Sequence, residues 1–195
     1  MKYFHGSRFD NIDALLVEKS NDGFCWLTGK YEFALLYAAN SVRFWGYNKK
    51  TQKLVLREAA PNSLKIMYDK KKCYIYCAEE ESLGEFEKVD YERRQAVKCK
   101  QNIKLKLFEV VDNAYEKFME MYKNGEIEIK FLKDMTEEER QKDKEETINT
   151  FSPVMEKEFK DFPHEYKLLT ELFPELKLEN ISYVFLVATY VRKYI

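Results

Sequence analysis

Residues near the N-terminus carry groups that could do chemistry together. His5-Gly6-Ser7 closes the short apolar run Tyr3-Phe4. It supplies an imidazole, a main chain that a ligand can approach closely, and a hydroxyl. Trp26, in the apolar run Phe24 to Leu27, and Tyr37, in the aromatic-rich stretch Tyr31 to Ala39, supply ring faces. A pocket with a histidine edge, a bare glycine backbone and an aromatic floor suits a flat, polar-edged heteroaromatic amide such as nicotinamide.

The elements that would position these groups follow from hydrophobic spacing. Tyr3 to His5 reads as a buried strand, and Asn11 to Glu18 as a short helix with Ile12, Leu15 and Leu16 inward. Phe24 to Leu27 is a strand. Thr28 caps the next helix, which has Glu32 in its first turn, is apolar nearly all round, and fades near Gly46-Tyr47-Asn48. Leu54 to Leu56 and Ala96 to Cys99 read as strands, and Cys73 to Cys77 as a strand covered on both faces. In the strand Ile103 to Val111, Lys104 and Lys106 mark a wet face. Asn113 to Tyr122 is a helix stopped at Asn124-Gly125, and Glu126 to Phe131 alternates as a strand.

Beyond this point the pattern turns helical. Thr136-Glu137-Glu138-Glu139 is a capping box, and Ser152-Pro153 reads as the start of a second helix. Asp161 caps a third, with Tyr166, Leu169, Leu172 and Phe173 on its inner face and Pro174 at its end. Asn180 to Tyr194 has the β-branched content of a strand and the length of a helix, and is read as a helix. The expected architecture is α+β. A mixed sheet with flanking helices occupies 1–131, and a helical C-terminal extension, 132–195, packs on it.

Composition narrows the partners. The chain has 195 residues, 45 % of them hydrophobic, enough for one sizeable core. Its net charge of -1, from 33 basic and 34 acidic residues, gives no electrostatic case for nucleic acid or an anionic membrane. The apolar run Tyr183 to Val191 is too short to span a bilayer. The four cysteines sit in apolar runs and read as reduced, buried thiols of a cytoplasmic protein. Cys73 and Cys77 lack a second ligand pair, and His5 and His164 are the only histidines, so no metal site is expected.

Taken together, Tyr3-Phe4-His5-Gly6-Ser7, then Trp26-Leu27-Thr28, then Tyr37-Ala38 resemble the diphtheria-toxin and poly(ADP-ribose)-polymerase branch of the ADP-ribosyltransferases. In that family one strand ends in His-Gly-Ser or His-Gly-Thr. The next motif is Gly-aliphatic-Tyr-Phe-Thr, and the helix after it ends in Tyr-Ala or Tyr-Cys. A later strand begins with a glutamate. The resemblance covers the first half of the chain and implies an ADP-ribosyltransferase-like fold, with NAD as substrate and ADP-ribose transferred to an unidentified acceptor, a protein. By the same resemblance His5 would bond a ribose hydroxyl, Gly6 would pair with the nicotinamide carboxamide with help from Ser7, and Tyr37 would stack on the ring. Cleaving the nicotinamide–ribose bond builds positive charge on the sugar, which a carboxylate would stabilise.

This sequence departs from the family at two places. Trp26 stands where the family has its second-motif tyrosine, keeping a stacking face without the phenol. For the carboxylate, Asp90-Tyr91 best matches, with Glu92 next; Glu79 to Glu81 and the Glu126/Glu128 pair match less well. The candidate catalytic residues are therefore His5, Asp90 and Glu92, and the candidate NAD-binding residues His5, Gly6, Ser7, Trp26 and Tyr37. Plainer readings exist for each. His5 could be a core-edge histidine and the aromatics core residues. Asp90 and Glu92, among Lys88, Arg93 and Arg94, could form a solvated charge cluster. The rival function is a catalytically degenerate NAD-binding or protein-interaction module. An RNA 2′-phosphotransferase would need more histidines than two.

Overall fold

The computed structural model describes residues 1–39, 43–158 and 163–176, with 153–158 and 163–166 described by backbone alone. The fold is mixed α+β, built from antiparallel sheets and several helices. Contact density divides the chain into two compact units. One comprises Met1–Leu56 with Leu64–Ile129, and the other Arg57–Ser63 with the residues from Lys130 onward.

The first unit contains, in order, strands β1 (Lys2–Ser7), β2 (Ala14–Leu15) and β3 (Cys25–Thr28), and helix α1 (Tyr31–Ala39). Strands β4 (Trp45–Asn48) and β5 (Lys53–Arg57) follow, then α2 (Ser63–Tyr68), β6 (Cys73–Glu79) and β7 (Phe86–Val89). The short helix α3 (Tyr91–Arg94) leads into β8 (Ala96–Cys99), β9 (Ile103–Lys104), β10 (Lys106–Val111), helix α4 (Ala114–Lys123) and β11 (Glu128–Lys130). The main sheet is six-stranded in the order β10-β6-β1-β3-β8-β7, with a small sheet β11-β5-β4 and a β2-β9 ribbon beside it.

Alternation along the strands gives the main sheet two distinct faces. On one, Tyr3, Cys25, Leu27, Tyr76, Val97 and Cys99 form a buried core with Leu83, Ile103 and Leu105. On the other lies α1, packed on β1, β6 and β3. It buries Phe33, Ala34, Leu35, Leu36, Ala38 and Ala39, which is why its sequence is apolar nearly all round. At Gly6 the helix comes so close that a methyl group would overlap the Ala34 carbonyl and press on the Ala38 Cβ at 2.9 Å. All four cysteines are buried and unbridged. Burial pushes the Cys73 and Cys99 thiols up to about 11, so they serve as neutral core fillers.

Several local expectations hold. Asn113 caps α4 by accepting from the Tyr115 and Glu116 amides at 3.1 and 3.4 Å. The capping box at Thr136 is formed, with reciprocal bonds to Glu139 of 2.9 and 3.2 Å. Others give way. The stretch Asn11 to Glu18 is not a helix. Ala14 and Leu15 pair with Lys104 and Ile103, and Val17–Lys19 is a turn of 3-10 helix. Pairing with a distant strand overrides a weak local helical spacing. Residues 46–48 belong to a strand, not to a fading helix. Ile103 to Val111 is split in two at Leu105, whose amide bonds the Asp13 carbonyl at 2.8 Å.

In the second unit, α5 (Glu137–Glu158) runs unbroken through Ser152-Pro153, where a new start was expected. A proline removes one helical hydrogen bond, and the long helix on either side tolerates the loss. Arg57 bonds Asp143 at 3.3 Å and Glu146 at 3.5 Å. Helix α6 (Pro163–Leu172) and the 3-10 turn Pro174–Leu176 bury Leu168, Leu169, Phe173 and Leu176. The expected cap at Asp161, the Tyr166 side chain and the segment Asn180 to Tyr194 lie outside the described residues. Among the described residues no helix is long and apolar enough to cross a membrane.

The Gly6 contact makes a direct prediction. Overpacking typically costs about 1–3 kcal/mol, so Gly6→Ala should lower Tm by roughly 2–12 °C for a chain of this size. Thermal unfolding followed by circular dichroism measures it. An unchanged Tm would mean that α1 moves away without cost.

Candidate functional site

The site is built where β1 parts from its neighbour. β1 pairs with β6 along its whole length, from Lys2↔Glu79 to Ser7↔Tyr74. With β3 it pairs at one position, Phe4↔Thr28. That register would bring His5 opposite Leu27 and then Gly6 opposite Trp26. The ladder stops instead, and His5 Nδ1 donates to the Trp26 carbonyl at 3.3 Å. This bond fixes the neutral tautomer and leaves Nε2, which has no protein partner among the described residues, as an acceptor for a ligand hydroxyl. Burial pushes the His5 pKa below its ordinary 6.5, against the opposing pull of the Trp26 carbonyl.

The other motif residues are held as follows. Ser7 Oγ accepts from the Phe9 amide at 3.0 Å, turning the chain out of β1. Trp26 is half-buried, and its Nε1 donates to Asp22 at 2.8 Å. Asp22 also accepts from Ser20 at 2.7 Å and from the Phe24 amide at 3.2 Å. The Ser20 bond, ahead of that from Trp26, holds its carboxyl below the usual range. Thr28 does not cap α1. It closes β3, accepting from the Lys30 amide at 3.2 Å and donating to the Arg94 carbonyl.

Tyr37 and Asp90 are brought together by a residue that the motif does not include. Arg94 Nη1 donates to the Tyr37 hydroxyl at 2.9 Å, and its Nε donates to Asp90 Oδ2 at 2.6 Å. Arg93 Nε takes the other Asp90 oxygen at 2.6 Å. Asp90, with its side chain 15 % exposed, is thus clamped by two guanidinium groups. A third, Arg43, lies over the Tyr37 ring at 4.5 Å from its centre. Arg94 is buried, which lowers its pKa, but the Tyr37 and Asp90 interactions outweigh burial and raise it.

Glu92 is exposed on α3. The residue immediately before β8 is Gln95, in the left-handed region at φ 50°. Its carbonyl accepts from the Gly29 amide at 3.0 Å. Asp90 and Glu92 therefore do not stand at the start of β8, and an uncharged amide does. That Asp90 stands among Arg93 and Arg94, and that Gln95 directly precedes β8, was visible in the sequence. The part-buried clamp on Asp90 and the Arg43–Tyr37 stacking were not, because they depend on how the segments fold together.

The structure does not put His5 and Tyr37 on one sheet face. His5 shares the parity of Tyr3, and α1 lies on the Gly6 face. A ligand meeting both would have to sit edge-on in the split between β1 and β3. On the His5 face, a recess of about 300 Å³ opens beside the motif. Tyr76 and Tyr74, the register partners of His5 and Ser7, form part of its wall with Leu105 and Leu107. Asp10 and Asp13 supply carboxylates there. The Tyr76 hydroxyl secures the loop over it, donating to the Phe9 carbonyl at 3.0 Å and accepting from the Ile12 amide at 3.3 Å.

Two measurements test this geometry. His5 titrates lower when folded, so the unfolded chain binds more protons between the two pKa values. Stability is therefore full above about pH 6.5 and falls as pH drops below it. Urea unfolding near pH 7.5 and near pH 5.5 should show this fall, and His5→Asn should reduce it. Separately, Asp90→Asn should destabilise by about 1–3 kcal/mol, the value of hydrogen bonds to a charged group. Glu92→Gln should stay within about 0.5 kcal/mol of the parent. Equal unfolding midpoints for the two variants would remove Asp90's structural role.

No family model, curated protein or solved structure matches the chain, which leaves the residues themselves as the ground for function.

Proposed function

We propose that this chain is an NAD-binding module of the ADP-ribosyltransferase type whose best-matching catalytic carboxylate, Asp90, is not free for transfer. The observation that carries the reading is His5. Its imidazole is set in the split between β1 and β3 with Nδ1 committed to the Trp26 carbonyl, so that Nε2 can take a ribose hydroxyl. In this reading the nicotinamide carboxamide pairs with the Gly6 main chain in the split and with the Ser7 hydroxyl. The recess on the same face gives room for the sugar, whose hydroxyls Asp10 and Asp13 can accept.

What supports binding without transfer is the state of the carboxylate at the family's catalytic position. Stabilising an oxocarbenium-like sugar needs a preorganised negative group beside it. Both Asp90 oxygens are taken by arginines, and Gln95 is neutral. The transferase reading keeps one favourable observation, that the Asp90–Arg94–Tyr37 chain ties a carboxylate to the aromatic helix.

One experiment separates the readings. NAD is titrated into the purified chain by calorimetry, and nicotinamide release is followed in the same samples. We expect binding without release. His5→Ala should weaken binding about three- to tenfold, matching one hydrogen bond of about 1 kcal/mol. Release that Asp90→Asn abolishes would establish the transferase reading, and absence of NAD binding would end both.

A further inference from the structure

Strand β10 ends the six-stranded sheet, and among the described residues no strand covers its outer edge. Native edges are normally blunted by charge, proline or brevity. This edge is six residues long and carries no proline, and its charges, Lys106 and Glu109, lie on the α1 face, which leaves the recess face apolar. Leu107, Phe108 and Val110 on it are 55 %, 45 % and 41 % exposed. Exposed apolar side chains beside an open row of main-chain donors and acceptors are what a further strand would pair with.

The register with β6 says which face each side chain takes. Leu107 and Val110 stand opposite Tyr76 and Tyr74, on the recess face. Lys106, Glu109 and Val111 stand opposite Cys77, Ile75 and Cys73, on the face that carries α1. Phe108 is the extra residue at the register shift between Leu107 and Glu109. Its ring meets Phe4 at 5.2 Å and Tyr31 at 6.2 Å, so it too belongs to the α1 face.

This pattern is self-complementary. A two-fold axis between Phe108 and Glu109 pairs Leu107 with Val110 of a second copy, and Val110 with its Leu107. Both pairs lie on the recess face. On the other face Phe108 meets Glu109, and Lys106 meets Val111. Directly opposed residues in an antiparallel pair share a face, and every pair satisfies that condition. A shift of one residue either way sets Leu107 against Glu109 or Val111, on opposite faces. We propose that β10 pairs antiparallel with β10 of a second copy about this axis, joining two main sheets into one. The contact is isologous, so Leu107 and Val110 of one copy meet Val110 and Leu107 of the other. It does not rest on the NAD reading, although Leu107 belongs both to this contact and to the recess wall.

The test is the oligomeric state of the full chain, by size exclusion with light scattering. The mass should rise towards twice that of the monomer between about 10 μM and 1 mM, the behaviour of a small interface. Over the same range amide exchange of 106–111 should slow. The double variant Leu107→Lys/Val110→Lys sets like charges opposite each other and should be monomeric throughout. Leu107→Lys/Val110→Glu sets opposite charges there and should recover the dimer. Both sites are exposed, and circular dichroism checks that the variants fold. A wild-type monomer at every concentration, with unchanged exchange in β10, would overturn the proposal. So would a dimer indifferent to the Lys/Lys change, or Lys/Glu remaining monomeric.

Discussion

Helix α1 lies so close to β1 that position 6 has no room for a side chain. The Ala34 carbonyl and the Ala38 Cβ occupy the space that a Cβ would need. Much else follows from that approach. It seats the buried face of α1 on the sheet and fixes the height at which Tyr37 leaves the helix. It also gives His5-Gly6-Ser7 a packing reason that is separate from any ligand. The small residues Ala34 and Ala38 on the helix and Gly6 on the strand are two halves of one contact. A glycine at a ligand site and a glycine under a helix look alike in sequence. Here the structure assigns the Cβ side of Gly6 to the helix and leaves its main chain to whatever enters the split.

Arg93 and Arg94 share Asp90, and Arg43 stacks on the Tyr37 ring. Burial lowers the Arg43 pKa and the like charge of Arg8 adds to the effect, against the pull of Tyr37 and Tyr68. A carboxylate held by two guanidinium groups is a strong structural joint and a poor electrostatic catalyst, because its charge is already compensated. The same joint explains the loop geometry. Asp90 and Gln95 both sit in the left-handed region, at φ 48° and 50°, bracketing the short α3. Such residues persist when neighbours over-determine them. Those neighbours are the two arginine bonds, the Thr28 hydroxyl on the Arg94 carbonyl, and the Tyr47 hydroxyl donating to the Glu92 carbonyl at 3.0 Å.

His5 shows how a strand pair can stop without a turn residue. Its imidazole takes a main-chain carbonyl that the ladder has left, so the polar group is satisfied while the strands separate. The split is therefore held by protein contacts alone, and they orient the ring. Preorganisation of this kind would lower the ordering cost of the proposed binding.

What the sequence determined by itself is what depends on neighbours a few residues apart. The Asn113 cap, the Thr136–Glu139 capping box, the stop at Asn124-Gly125 and the covered strand at Cys73 to Cys77 were all legible, since each rests on local hydrogen bonding or an unbroken apolar run. The grouping of Asp90 with Arg93 and Arg94 was legible as a charge cluster, though not the short helix or the partial burial it has. Tertiary structure alone decided the rest. Ala14 and Leu15 became a strand because Lys104 and Ile103 were there to pair with. Asp90 became a part-buried joint because Arg94 also reaches the Tyr37 hydroxyl on a distant helix. His5 and Tyr37 fell on different faces through the parity of one strand and the seat of one helix. Pairing, parity and packing join segments far apart in the chain, and no local pattern records which distant partner a residue will meet.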